Sequence, residues 1–180
     1  MMRALAVVLL TVPGVALADC PAVPDIDADE ASLLEQVQAT SSEMEARILT
    51  GRLWALWSTA PDEASQELLD RGMTARSSYD FLAALDAFNR LVDYCPHYAE
   101  GYNQRAFVNF LREDFAAALD DLDRALARRP THVAALSGKA MTLMGLGRHD
   151  EAQLVLREAL ALNPWIPERS FLREPVGDEL

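Results

Sequence analysis

Pro96, Pro130 and Pro164 stand 34 residues apart, and this interval limits what the 180-residue chain can fold into more than any other feature does. The same step relates Ala84, Ala118 and Ala152, and also Gly72, Ala106 and Ala140. Two bulkier series, Leu68/Tyr102/Leu136 and Phe88/Leu122/Leu156, keep the register. A fixed period of this length marks units that each bury an apolar face only by stacking on their neighbours. Within the period the apolar spacing is helical. Phe81, Ala84, Leu85, Phe88, Leu91 and Val92 return as Phe115, Ala118, Leu119, Leu122, Ala125 and Leu126, one face of a helix. The third copy keeps Ala152, Leu156, Ala159 and Leu160 but has His149 and Gln153 at the other two offsets, as suits a terminal unit with a more polar outer face. Ser78 or Asp80, and then Asp114, are placed to start the second helix of the first two units, and Gly147-Arg148 turns the chain in the third. Each proline closes a unit, because it lacks the amide hydrogen that an interior helical residue donates.

A bulky residue, a small residue, two alanines and a closing proline at these offsets resemble the tetratricopeptide repeat family. Residues 65–98, 99–132 and 133–166 carry the pattern, and Tyr102, Ala106, Ala118, Leu122, Ala125 and Pro130 match it best. The first unit departs from it with Leu91 in place of the second alanine, and Ala75 and Asn109 stand where a bulky residue is usual. The resemblance implies an all-α, right-handed α-solenoid of three helix pairs, whose first helices line a concave groove for a peptide or helix of a partner. Carried over by phase, the groove would be lined by Gln66, Leu69, Met73 and Arg76, then Asn103, Phe107 and Phe110, then Ser137, Met141 and Met144. The same residues could instead pack against flanking helices. One specialised use is not expected. The clamp by which some relatives grip a terminal carboxylate draws on several lysines, and Lys139 is the single lysine of this chain.

The repeats account for residues 61–166 of the organisation, with other segments on either side. Residues 1–18 read as a secretory signal peptide: Arg3, an apolar run from Ala4 to Val12, the Pro13-Gly14 break, and small residues at Ala16 and Ala18, with cleavage expected after Ala18. The expected address is secreted or periplasmic. Residues 19–30 are expected to form an acidic, solvated arm. Residues 31–60, with Leu33, Leu34, Val37, Ile48, Leu49, Leu53, Trp54 and Trp57, are expected to be capping helices lying against the first helix pair. Residues 167–180 would form a short C-terminal cap and tail, frayed from about Glu174.

With the leader gone, 15 basic residues face 28 acidic ones, a net charge of −13. That excess disfavours nucleic acid as a partner, and no segment after residue 30 is apolar enough to span a membrane. Cys20 and Cys95, in an exported chain, are expected to form a disulfide, although free thiols or pairing with another chain stay open. His97 and His132 fall in turns between units and read as surface residues; with His149 they lack the spacing of a helical metal site. No phosphate loop, nucleophile elbow or Cys/His catalytic arrangement is present. The expectation is a non-enzymatic adaptor that needs no cofactor and holds a protein or peptide; a helical carrier of a small molecule or lipid is the alternative. Arg71, Arg105 and Lys139, again 34 apart, would form a ladder of charge pairs between helices or offer cations to a partner.

Overall fold

A computed structural model describes residues 19–173. The expected signal segment and the end of the tail lie outside the described residues. Eight α-helices follow in order: α1 Asp27–Ala39, α2 Glu43–Trp57, α3 Glu63–Ser77, α4 Phe81–Tyr94, α5 Ala99–Leu111, α6 Phe115–Arg128, α7 Val133–Gly145 and α8 His149–Leu162, with a 3-10 turn at Pro167–Phe171. The pairs α3/α4, α5/α6 and α7/α8 stack as an all-α solenoid.

Local chemistry sets the boundaries. Asp62 caps α3 by accepting from the Ser65 amide, while Ser65 Oγ accepts from the Asp62 amide in return. Asp80, rather than Ser78, caps α4, and Asp114 caps α6 at the equivalent place. Just before these caps the chain must reverse, and Tyr79 (φ 61°), Glu113 (φ 61°) and Gly147 (φ 74°) supply left-handed residues 34 apart. Only the third copy uses glycine, the one residue that adopts this region without steric cost.

The small residues of the pattern are at the helix contacts. Ala84, Ala106, Ala118, Ala140 and Ala152 are fully buried. Gly72 lies so close to the ring of Phe88 that a Cβ there would be 2.4 Å from Cε1. The periodic positions thus let the paired backbones approach until Phe88, Leu122 and Leu156 fill the space between them.

The N-terminal segment differs from the sequence expectation in two ways. The helix begins at Asp27, inside the stretch read as a solvated arm, and Glu30 is buried. The α1/α2 hairpin also packs against the third pair rather than the first. Leu33, Leu34, Val37, Leu49, Leu53 and Trp57 form one core with Val133, Leu136, Ala140, Leu156, Ala159 and Ile166. Gln38 donates to the carbonyl of Leu162, and Asn163 donates to Thr50 Oγ1. The physical reason is that the last pair of an array needs its apolar face covered, and the hairpin supplies that cover together with Ile166. Cys20 and Cys95 are joined by a disulfide (Cα–Cα 5.1 Å), which ties the segment before α1 to the end of α4.

Candidate functional site

Folding the hairpin across the array turns the open concave face into a cavity of about 450 Å³. Its floor comes from α3, α5 and α7, and α2 with Ile166–Glu168 forms the opposing walls. Apolar groups predominate: Trp54, Trp57, Phe107, Phe110, Met141 and Ile166. Phe107 is 44% exposed, an unusual setting for a phenylalanine on an inner helix.

Arg76, Asn103, Phe107, Phe110, Ser137 and Met141, all expected to face the groove, meet around this space. The others do not. Leu69 is fully buried, Met73 packs into the core of the first pair, and Met144 packs against the hairpin core. Gln66 is occupied at the base of α3, accepting from the Ala60 amide and donating to Asp70. Trp54 and Trp57 are walls that the phase of the repeat could not indicate, because they belong to α2.

Beside the cavity runs a buried polar chain linking the hairpin to two repeats. Glu30 Oε1 accepts from Trp57 Nε1 at 2.6 Å, and its other oxygen accepts from Arg129 and from Thr131 Oγ1. The Trp57 indole stacks on His132 with centroids 4.2 Å apart. His132 is not a surface residue, as its turn position suggests, but fully buried. Its Nδ1 accepts from the Ala135 amide, which leaves the proton on Nε2 to be donated to Glu100 at 2.8 Å. Glu100 also accepts from Asn103 and Gln104, so both of its oxygens are engaged. Asn103 thus donates to Glu100 while its side chain still lines the cavity. Tyr98 completes the junction by donating to the carbonyl of Trp57 at 2.8 Å, and burial pushes its phenol well above the usual range. Every member of this chain that could have been left unpaired in the interior has a partner, as the cost of burying polar groups demands.

Arg76 is held differently. It donates to Gln104 and stacks over Phe107 at 4.7 Å from the ring centre. Burial pulls its guanidinium below the usual value, and the nearby charge of Glu100 offsets part of this. The periodic cations lie on other faces. Arg105 makes a bidentate pair with the buried Asp121, Lys139 pairs with Asp123, and Arg71 pairs with Glu67 of its own helix. Two of the three thus bridge helices, and the hydrogen bonds that Arg105 donates to Asp121 raise its guanidinium above the usual value. Among the described residues no group of three or more His, Cys, Asp or Glu could hold a metal ion, and no helix is long and apolar enough to cross a membrane.

Comparison with known proteins agrees with this architecture. Residues 110–164 match the tetratricopeptide repeat family. The tetratricopeptide repeat protein 36 homolog of Nematostella vectensis is 40% identical over 65 residues, 36% of this chain and 36% of that protein. The chain thus spans little more than a third of that relative. Among solved structures, the TPR domain of Arabidopsis OM64 superposes with a TM-score of 0.59 at 23% identity, covering 61% of this chain and 90% of the domain. The first TPR of Spaghetti (RPAP3), bound to the HSP90 peptide SRMEEVD, also gives 0.59 at 22% identity, covering 61% of this chain and 86% of the other. At these identities the superpositions establish the fold alone.

Proposed function

We propose that this tetratricopeptide-repeat protein is a non-enzymatic interaction module, secreted or periplasmic, that receives a short apolar segment of a partner protein in the cavity between α2 and the inner helices. The observation that carries this reading is the joint placement of Phe107, Phe110, Met141 and Trp54 around one open cavity on the face where the first helices of the pairs converge. A flexible thioether among aromatic rings repacks against varied side chains, and large aromatic groups supply most of the energy at such contacts. The structural neighbour solved with an HSP90 peptide supports a peptide ligand as the class. Here the hairpin shortens the groove, so the bound segment inserts one or two side chains instead of running the length of the array. Export is supported by the leader-like pattern of residues 1–18 and by the disulfide, which persists in oxidising compartments.

The test is a crosslinking pull-down from the native envelope or secreted fraction. Wild type is compared with the Phe107→Ala/Phe110→Ala/Met141→Ala variant after circular dichroism shows that the variant is folded. Partners lost only from the variant support the cavity as the contact. An unchanged set of partners refutes it, and recovery of the protein only from the cytosol refutes the address.

A further inference from the structure

The chemistry of the cavity is more specific than an apolar side chain requires. Among its described lining residues Arg76 is the one cation and Glu168 the one carboxylate. The Arg76 guanidinium contacts Gln104 and the Phe107 ring, and no carboxylate among the described residues pairs with it. In exchange for lost hydration the partly buried Arg76 cation has the Gln104 bond, the Phe107 ring and the nearby charge of Glu100 but no directly paired carboxylate, and an anion entering the cavity would supply one. Ser137 and Thr142 of α7 also line the cavity, but their hydroxyl oxygens are closed off from it, so Arg76 alone supplies the polar anchor. Most of the remaining wall is apolar, and the volume lies in the lower part of the range for small-molecule sites.

We propose that the cavity binds a small amphipathic anion, a single apolar chain or ring system ending in one carboxylate-type head. The head lies toward Arg76, and the body lies among Trp54, Phe110 and Met141. A volume of about 450 Å³ admits one short chain and excludes a two-chain phospholipid. The positive charge selects against a cationic head of the same length. The ligand would occupy the same cavity as the partner's segment and compete with it, but its binding is measured on the chain alone, so a failure here is distinguishable from a failure of the interaction reading.

The experiment titrates the full disulfide-bonded chain with decanoate, decanol and decyltrimethylammonium below their micellar concentrations, by calorimetry and by the fluorescence of the wall tryptophans. Decanoate should bind saturably with one molecule per chain, about tenfold or more tighter than decanol, as a charge-assisted contact is worth. The ammonium compound should not bind measurably. Arg76→Gln should bring decanoate down to the level of decanol, Arg76→Lys should retain part of the preference, and Met141→Trp should block both ligands by filling the space. The proposal is overturned if decanoate shows no saturable binding, if it binds no better than decanol, or if a folded Arg76→Gln variant keeps the preference.

Discussion

The buried carboxylate of Glu30 should hold the N-terminal hairpin onto the third repeat, and removing it should cost a large share of the protein's stability. Glu30 is 3% exposed and accepts from three side chains: the Trp57 indole in its own hairpin, and Arg129 and Thr131 in the turn that leads from the second unit into the third. Glu30→Ala deletes all three bonds and leaves an indole N–H and a mostly buried guanidinium without their acceptor. Breaking one side of a buried ion pair costs about 3–5 kcal/mol. Arg129 keeps its 3.1 Å contact with the exposed Asp27, which places the expected loss toward the lower end. Glu30→Gln keeps the shape and an acceptor for Trp57 but exchanges charged hydrogen bonds for neutral ones, a loss of about 1–2 kcal/mol. Urea denaturation followed by tryptophan fluorescence, with the disulfide intact, measures both. The order wild type, Gln, Ala should persist in 1 M salt, because buried pairs are poorly screened. A Glu30→Ala loss below about 1 kcal/mol, on a scale where a typical charged hydrogen bond is worth more, would refute the view that this chain docks the hairpin.

Four other substitutions test separate parts of the structure. Gly72→Ala should destabilise by about 1–3 kcal/mol, because its Cβ meets the Phe88 ring at 2.4 Å in a filled core; Gly51→Ala, on α2 with nothing within 4 Å, should gain up to about 1 kcal/mol from helix propensity, and opposite shifts in urea midpoint would check both. Cys95→Ser opens a loop spanning 75 residues and should lose up to about 4 kcal/mol, with the reduced wild type unfolding at a matching midpoint. Hydrogen bonds from the Ser65 side chain, then from Tyr94, lower the Asp62 carboxyl below its usual range. Its contribution is therefore complete above the unfolded pKa and is lost as the pH falls through the lower folded value, so the difference in Tm between wild type and Asp62→Asn should shrink below about pH 4.

The solenoid was legible in the sequence, because the physics of the repeat is local and periodic. Ala84, Ala118 and Ala152 had to be small wherever two helices touch, Pro96, Pro130 and Pro164 could stand only between helices, and Asp80 and Asp114 could cap the helices that follow them. Within the candidate site, the phase of the first helices was enough to bring Arg76, Phe107, Phe110 and Met141 to one face, since equivalent positions of stacked units project alike. It could not separate them from Met73 and Met144, which share that phase but are covered by neighbouring side chains.

The position of the hairpin was not legible in the sequence and rests on contacts distant in the chain. The apolar residues of α1 and α2 showed that they must cover something, but hydrophobic burial is non-directional, and either end of the array offered a surface. Selection of the third pair depends on contacts about 100 residues apart in the chain, such as Arg129 with Glu30, which leave no periodic trace. For the same reason His132 read as a surface turn residue. Its burial under Trp57, like the closure of an open groove into a cavity, follows from a helix that arrives from the other end of the chain.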